Sequence, residues 1–355
     1  MAELFRYSNP GRVFWGPGCL EQLAAELDRL AIQKPFLIST RSLAANGSVM
    51  QRLAACTGRP WGGTFASIAQ HAPAADVARA TEAVRASGAD GIVSLGGGSP
   101  IDAAKVVALA AGGLPHVALP TTLSVAELSP AAGVTNDQGR KVGQRGDELM
   151  PKAVFYDAGL ALDTPLDLWL STGIRALDHA VEGILAPGEH PFSDIMALEA
   201  IRRLFQSLPR AKADPTSADI RTENQLAAWF SFTLPLPSAG GLSHVLGKQI
   251  GSPYSIPHGV TSCLLLPHVM RYLGPTHNEG LRLVGSAMGV PSRLTGAEAA
   301  QAAADAVGDL IDRLGQPRHL AAYGLTPHQL RAAAQPIASA SRPLEDLVGI
   351  YQAAW

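Results

Sequence analysis

The sequence predicts a two-domain protein, with an α/β domain over residues 1–158 and an all-α domain over residues 159–355. Two observations lead to this fold class. Short β-rich segments alternate with amphipathic helical segments through the first half, which is typical of a mostly parallel sheet covered by helices. After residue 157 strand-like segments almost disappear and long Ala- and Leu-rich helical segments follow, so we expect the boundary there.

The elements follow from hydrophobic periodicity. Short β-rich runs predict strands over residues 13–15, 35–39, 63–65, 91–95, 116–119 and 153–156. Apolar residues that recur every three or four positions predict helices over residues 19–30, 49–56, 75–87 and 101–111, and later over 166–185, 193–208 and 297–314. Two further short runs, 133–136 and 141–142, flank a turn sequence at 137–139 and predict a β-hairpin beside the sheet.

The composition excludes several function classes. A chain of 355 residues that is 47% hydrophobic and 16% charged has enough apolar material for large cores. The 28 basic and 30 acidic residues give a formal charge of −2 without long like-charged runs, so we expect no nucleic-acid partner. The sequence shows neither a targeting nor a membrane-spanning pattern, and three widely spaced cysteines fit reduced thiols, so we expect a cytoplasmic protein without a membrane partner.

A Gly-rich turn follows the predicted fourth strand and leads into a helix; it consists of Gly96, Gly97, Gly98 and Ser99. Residues without side chains let a phosphate reach the backbone N–H groups and the positive end of the helix dipole. Ser99 and Pro100 have the chemistry of a helix start, so we expect Ser99 to cap the helix. The turn suits a dinucleotide pyrophosphate, although a tight turn without a ligand explains it equally well on local grounds.

Two hydroxyl side chains follow the next strand. Thr121 and Thr122 come directly after Pro120, where the predicted fifth strand ends. Because the carboxyl ends of parallel strands face the ligand crevice of such a sheet, these hydroxyls and the Gly-rich turn together favour a binding site. Capping of the loop after Pro120 is the alternative role of the two hydroxyls.

Several segments, in order over nearly the whole chain, carry a family resemblance: RVFWGPGCLEQL from residue 12, GGGSPIDAAK, LPTT, HAVEG, HVLG, IPHG and LLPHVMRY. They resemble the iron-containing (group III) alcohol dehydrogenase family, which shares its fold with dehydroquinate synthase. Within the family, QHAPAADV, HAVEGILAP and SRPLED resemble the maleylacetate reductase subgroup. The resemblance implies an N-terminal dinucleotide-binding domain, hydride transfer to or from NAD(P) in the cleft between the domains, a homodimer and a role in aromatic compound catabolism.

The resemblance also implies the cofactor contacts. They would come from the Gly-rich turn, from Asp102 in the same motif, from Thr121 and Thr122, and from Ser39 and Thr40 after the second strand. Family members that exclude NADP often carry an Asp after that strand, whereas this chain has Ser39, Thr40 and Arg41. Without a carboxylate to repel a 2′-phosphate, we expect the use of both NADH and NADPH. Arg41 is either a phosphate contact or a solvated surface residue.

The resemblance places metal ligands at His179, His244 and His258, together with an acid four residues before the first histidine. Arg175 stands at that position, and a guanidinium cannot ligate a metal and brings positive charge to it. Asp178 does not replace the acid, because its direction differs from that of His179 by about 100° around a helix. We therefore expect no bound metal; if one is bound, the three histidines are its ligands.

Two interpretations of this cluster stay open. In one, Arg175 forms a structural ion pair with Asp178 or Glu182, and the histidines are polar lining. In the other, which we favour because a buried unpaired guanidinium is costly, Arg175 replaces the charge of the metal and binds an anionic substrate, with the histidines as donors. The four residues Arg175, His179, His244 and His258 are then the catalytic candidates.

The loss of a metal ligand favours one reaction over another. Reduction of an isolated ketone gives an alkoxide that benefits from a Lewis acid, whereas hydride addition to a conjugated enone gives a delocalised enolate. The sequence therefore predicts an NAD(P)H-dependent reductase of maleylacetate, giving 3-oxoadipate, or of a similar carboxylated enone. The alternatives are an Fe- or Zn-dependent alcohol dehydrogenase, a non-redox enzyme on the same fold, and a binding protein without activity.

Overall fold

The protein is analysed as a computed structural model, which describes residues 10–138, 141–233 and 241–355. These residues form two compact units. The first unit consists of the described part of Ser8–Thr164 together with Thr216–Leu226, and the second of the described parts of Pro165–Pro215 and Ala227–Trp355. The chain first passes from one unit to the other after Thr164, which is close to the predicted boundary at residue 158. That residues 1–158 and 159–355 act as separate domains stays a prediction.

The first unit is built on a parallel six-stranded sheet with the strand order β1-β8-β5-β4-β2-β3. Its strands are β1 (Arg12–Trp15), β2 (Pro35–Ile38), β3 (Gly63–Phe65), β4 (Gly91–Gly96), β5 (His116–Pro120) and β8 (Ala153–Tyr156). The antiparallel hairpin consists of β6 (Ala131–Thr135) and β7 (Lys141–Arg145). The predicted fold class is confirmed, while residue 139 of the predicted hairpin turn lies outside the described residues.

Helices cover both faces of this sheet, which is why β2, β4, β5 and β8 are buried throughout. The helices of this part are α1 (Leu23–Arg29), α2 (Arg41–Ala44), α3 (Gly47–Thr57), α4 (Ala74–Ser87), α5 (Gly98–Ala110) and α6 (Ala158–Ala161). Leu37 of β2 packs in the apolar cluster that contains residues of α1 and α3. Its neighbours Phe36 and Ile38 pack in the cluster that contains residues of α4 and α5, as the alternation of side chains along a strand requires.

The part of the chain described after residue 164 is mainly helical. Its helices are α7 (Leu166–Ile184), α8 (Pro191–Ala213), α9 (Ala218–Ser231), α10 (Leu242–Gly251), α11 (His258–Leu273), α12 (Asn278–Ala287), α13 (Gly296–Leu314), α14 (Pro327–Ala334) and α15 (Leu344–Ala353). Apolar residues of α10, α11, α14 and α15 share one core cluster. Within the described residues, the search for a helix long and apolar enough to cross a membrane finds no candidate.

The strand order brings the carboxyl ends of β2, β4 and β5 side by side. The chain passes outward from β2 to β3, and then continues through β4, β5 and β8 in the opposite direction across the sheet. The order therefore reverses between β2 and β4, and such a switch point is where open parallel sheets form ligand crevices. Ser39, the Gly-rich turn and Thr121 all follow these strand ends.

Candidate functional site

The Gly-rich turn of the first unit makes close backbone approaches. Gly96 has a φ of 145°, which favours glycine, and a Cβ there would lie 2.6 Å from Pro100 Cγ. A Cβ on Gly97 would lie 3.0 Å from Thr122 Cγ2, and one on Gly98 would lie 3.2 Å from Ser124 Oγ. The loop after β5 thus packs directly on the turn, and the glycines serve this packing as well as any approach by a ligand.

The expectation that Ser99 caps α5 is wrong. The N-cap residue is Gly97, without a side-chain cap, and Ser99 is the second residue of the helix. Ser99 Oγ instead accepts a hydrogen bond of 3.0 Å from the backbone N–H of His71. His71 and Ala72 have φ values of 65° and 47°, in the left-handed region that is uncommon for such residues. The hydroxyl of Ser99 therefore helps to hold a neighbouring loop rather than its own helix.

Two buried hydroxyl groups face the start of α5. Thr122 is 5% exposed, and neither Thr122 Oγ1 nor the buried Ser124 Oγ has a hydrogen-bond partner among the residues that the structure describes. Leaving a polar group buried without a partner costs about 1–3 kcal/mol. These hydroxyls and the N-terminus of α5 are independent features that both suit a polar ligand such as a phosphate.

The other predicted cofactor residues already have protein partners. Ser39 Oγ donates to Leu95 O at 2.8 Å, Thr40 Oγ1 accepts from the N–H of Leu43, and Asp102 Oδ2 accepts from the N–H of Gly133. Thr121 N donates to Gly96 O, and its carbonyl accepts from Thr164 Oγ1. Arg41 is exposed at the start of α2. Thr121 and Thr122 therefore lie with the Gly-rich turn, whereas Ser39, Thr40 and Asp102 also serve the fold.

The second unit contains a cluster of ionisable side chains around α7. Asp178 and His179 follow Arg175 by three and four residues, and Glu182 follows His179 by three. Every residue of α7 from Trp169 to Gly183 is buried. Residues at this spacing share a helix face. Because charged groups inside a buried helix need partners, the hydrogen bonds of these residues decide what the cluster can do.

Arg175 is paired inside the protein. Its side chain is 2% exposed, and its Nη2 donates to His258 Nε2 at 2.7 Å. Its Nη1 donates to Ser262 Oγ at 2.9 Å and lies 3.6 Å from Asp178 Oδ2. The premise that this guanidinium lacks a partner is therefore wrong, and the ion pair with Asp178 matches the first of the two interpretations.

Asp178 also belongs to the cluster, where it lies with Glu182 and His244. Its Oδ2 accepts from Ser243 Oγ at 2.8 Å and from Ser262 Oγ at 2.6 Å. Burial raises the pKa of Asp178 to about 7, the charge of Glu182 adds to this effect, and Arg175 opposes it. The carboxylate points toward α10 and α11. A helical-wheel projection of α7 alone therefore cannot show its partners.

Glu182 holds the beginning of α10. Its oxygens accept backbone N–H groups from Gly241 at 2.8 Å and from His244 at 3.1 Å, and its Oε2 lies 3.0 Å from His244 Nδ1. A negative charge at a helix N-terminus is favourable, and here it also fixes the position of His244. The sequence indicated Glu182 only as an ion-pair partner of Arg175, although its position three residues after His179 in HAVEG could have placed it beside the histidines.

The three imidazoles converge. His179 Nε2 and His244 Nε2 are 3.1 Å apart, which requires that one nitrogen donates and the other accepts. Phe232 packs edge-on against His179, with ring centroids 5.0 Å apart. Burial lowers the pKa of His179 well below its ordinary value, and the charges of His244, Arg175 and Lys248 act in the same direction. Burial therefore favours the neutral imidazole of His179.

The arrangement does not fit a metal ion held by the three histidines. The spacing of His179 and His244 is close to the ~3.3 Å expected for two nitrogen ligands of a tetrahedral zinc, but the lone pair of His258 Nε2 already accepts from Arg175. Asp178, Glu182 and His244 place ligand atoms within 4.8 Å of one another. A cation, Arg175, already lies beside this acidic group and balances part of its charge.

Comparisons with known proteins agree with this fold. The profile of the Iron-containing alcohol dehydrogenase family matches residues 10–158, and that of the Fe-containing alcohol dehydrogenase family, C-terminal, matches residues 169–346. The chain is 32% identical to a maleylacetate reductase of Rhizobium sp. (strain MTP-10005) over 92% of this chain and 88% of that protein. It is 34% identical to one of Sphingobium indicum over 79% of this chain and 78% of that protein.

A solved structure of another protein has the same fold. The maleylacetate reductase from Agrobacterium tumefaciens aligns with a TM-score of 0.87 and 29% identity, covering 100% of this chain and 99% of that one. The alignment extends over both units, and the sequence matches also extend over both halves of the chain. The family resemblance and the fold expected from it are confirmed.

Proposed function

Because the chain belongs to the iron-containing alcohol dehydrogenase family, we propose that it is an NAD(P)H-dependent reductase of maleylacetate, or of a similar carboxylated enone, that works without a metal ion. Family membership makes it an oxidoreductase, which removes the non-redox and binding-only alternatives, and implies a nicotinamide cofactor. The proposal depends mainly on one hydrogen bond inside the histidine cluster. Arg175 Nη2 donates to His258 Nε2 at 2.7 Å, so the lone pair of that nitrogen is already used and does not bind a metal ion.

The reaction needs a hydride, a way to spread negative charge, and a proton. The cofactor, when bound, supplies the hydride that adds to the carbon–carbon double bond. The electron pair of that bond moves onto the conjugated carbonyl, and the enolate shares its charge between oxygen and carbon. Hydrogen bonds and a nearby cation are then sufficient in place of a Lewis acid. Protonation of the enolate carbon gives the saturated ketone, which is 3-oxoadipate when the substrate is maleylacetate.

The side chains of the cluster fix the positions of protons. A guanidinium only donates, so its bond to His258 Nε2 leaves the proton of that imidazole on Nδ1. The contact of Glu182 with His244 Nδ1 favours a proton on that atom, and His244 Nε2 then accepts from His179. We assign donation and proton transfer to the three imidazoles, and we assign to Arg175 the role of a positioning residue that also supplies fixed positive charge.

We assign the pyrophosphate of the cofactor to the Gly-rich turn, and the nicotinamide end to Thr121 and Thr122. Support comes from the hydroxyl of Thr122, which lies against Gly97 and has no partner among the described residues, and from the N-terminus of α5. We also propose Ser39, Thr40 and Asp102 as cofactor contacts, although their side chains already form hydrogen bonds within the protein. The chain has no acid at residues 39–41, so we expect comparable use of NADH and NADPH.

Turnover measured by nicotinamide absorbance tests the proposal. The purified protein is mixed with maleylacetate and either NADH or NADPH, with and without a chelator, and the product is identified. We expect one cofactor oxidised per 3-oxoadipate formed, at a rate that the chelator does not change. Absence of cofactor oxidation with maleylacetate and with related carboxylated enones contradicts the proposal.

One observation favours a second candidate, a metal-dependent alcohol dehydrogenase. The group of Asp178, Glu182 and His244 has donor atoms close enough to bind one cation if Arg175 moves aside. That enzyme would lose activity on chelation and would oxidise simple alcohols with NAD(P)⁺. The same assay therefore separates the two candidates.

We also propose a small anionic substrate as the principal partner and a homodimer as the working form. The subgroup resemblance supports both, and the fixed positive charge of the cluster supports the first. Sedimentation velocity at assay concentration tests the dimer, and a sedimentation coefficient of a single chain contradicts it.

A further inference from the structure

A carboxylated substrate needs a cation that it can reach, and Arg175 does not meet that requirement. Its side chain is 2% exposed, both of its terminal nitrogens donate to protein atoms, and the carboxylate of Asp178 already provides its counter-charge. A substrate carboxylate would have to displace these partners and compete with Asp178. The charge of Arg175 is therefore balanced inside the cluster, and a substrate carboxylate cannot reach it without displacing these partners.

A second cation stands on the helix that carries His244. Lys248 is one turn after His244 on α10, and residues four apart on a helix lie on the same face. His244 is buried and holds His179, whereas the side chain of Lys248 is exposed. The sequence of α10, LSHVLGKQIG, contains no acidic residue that would oppose the lysine on its own helix.

The charge of Lys248 reaches the histidine cluster. Burial is the main cause that lowers the pKa of His179, and the charge of Lys248 acts in the same direction, as do His244 and Arg175. Lys248 thus acts on His179 electrostatically from a position one turn after His244, while the residue itself is exposed to solvent. A flexible lysine at the exposed side of a histidine cluster is suited to attract and hold a carboxylate.

We propose that Lys248 binds a carboxylate of the substrate and makes this enzyme select dianionic over neutral enones. The inference rests on the proposed function, since it names the residue that recognises the acid group of that substrate. Lys248 takes the anchoring role that the sequence analysis gave to Arg175. It binds the carboxylate equally in the ground state and the transition state, so it acts on KM rather than on kcat.

The test compares Lys248→Gln with Lys248→Arg and with Lys212→Gln, a change at another exposed lysine of the same unit. We expect Lys248→Gln to raise KM for maleylacetate about tenfold with kcat within about twofold, the arginine variant to recover most of the affinity, and Lys212→Gln to match the parent. An unchanged KM in Lys248→Gln overturns the inference, as does a loss of kcat alone.

Binding of maleate, a dicarboxylate that serves as a probe without turnover, separates this inference from the proposed function. Calorimetry is carried out on the full-length protein saturated with NAD⁺ or NADP⁺. We expect binding that weakens about tenfold in Lys248→Gln, even if maleylacetate is not the natural substrate. Equal maleate binding by parent and variant, or no binding by the parent, overturns the role of Lys248. Failure of maleylacetate turnover alone contradicts only the proposed function.

Discussion

The buried hydroxyl groups beside the Gly-rich turn and the buried guanidinium on α7 differ in whether the fold supplies their partners. In the first unit, Thr122 and Ser124 place hydroxyl groups against the Gly-rich turn, and these hydroxyls have no partner among the described residues. In the second unit, the buried guanidinium of Arg175 has partners in Ser262 and His258 and a counter-charge in Asp178. Polar groups left unpaired by the fold suit an external ligand, whereas paired charges show that the chain balances them itself.

The comparison separates what the family fold retains from what this chain has changed. The strand, Gly-rich turn and helix keep the arrangement expected of a nucleotide site. The histidines of the second unit also converge, but Arg175 stands where the family resemblance places a metal-binding acid. Retained histidines are therefore insufficient to infer a metal, because the charge around them decides what they can bind.

The largest expected effect comes from removing the internal cation. Arg175→Ala leaves the buried Asp178 without its counter-charge, and we expect a loss of about 3–5 kcal/mol in the free energy of unfolding together with most of the activity. Urea unfolding and turnover measure the two effects. Arg202→Ala, which breaks the exposed ion pair with Glu199, is the control and should cost less than about 1 kcal/mol. Equal stability losses in the two variants would show that Arg175 is not a buried counter-ion.

A buried acid of the first unit gives a pH-dependent effect on stability of roughly 3 kcal/mol. Glu127 accepts a hydrogen bond from Tyr156 at 2.8 Å, and burial raises its pKa from 4.5 to about 7. The folded state therefore binds more protons than the unfolded state between these values, and its stability falls as pH rises through them. Glu127→Gln stays neutral, so it should be more stable than the parent at pH 8 by roughly 3 kcal/mol and similar to it at pH 4.

Urea unfolding at a series of pH values measures this difference. Asp178 titrates in the same direction, so the parent's dependence on pH should become shallower in Glu127→Gln without vanishing. Stability curves of parent and variant that stay parallel from pH 4 to pH 8 would mean that Glu127 is not a neutral acid in the folded protein.

The smallest effect concerns one hydroxyl group. Thr122→Val keeps the shape of the side chain and removes an oxygen that has no partner in the described part of the chain, so we expect unchanged or slightly higher thermal stability. The affinity for NADH should nevertheless fall about tenfold, or ~1.4 kcal/mol, if that oxygen binds the cofactor. Thr81→Val, whose hydroxyl donates to Val77 O within α4, is the matched control.

NADH titrations and melting curves of the two threonine variants give the outcome. Thr81→Val should lose some stability and keep its cofactor affinity, which is the reverse of the pattern expected for Thr122→Val. An unchanged NADH affinity in Thr122→Val removes Thr122 from the cofactor site and favours the capping role for this hydroxyl.

The sequence predicted local periodicity better than contacts between distant segments. The parallel sheet, its covering helices and the convergence of three histidines followed from segment patterns and the family resemblance. The ion pair of Arg175 with Asp178 was one of the two interpretations, but its partners Ser262 and His258 were not predicted, because they lie more than 80 positions away on α11. Ser99 was misassigned for the same reason, since its hydroxyl accepts from His71 in another loop. The sequence pattern of one helix does not show which residues of other segments pack against it, because those contacts form only in the folded chain.

Metal content compared between the parent and Arg175→Asp tests most directly whether Arg175 stands in place of a metal. Both proteins are purified without chelator, incubated with Fe²⁺ or Zn²⁺, desalted and analysed for metal per chain. We predict far less than one metal per chain in the parent, with activity unaffected by chelation, and close to one in Arg175→Asp, where an acid joins His179, His244 and His258. One metal per chain in the parent, lost together with activity on chelation, would contradict the proposed replacement of the metal by Arg175.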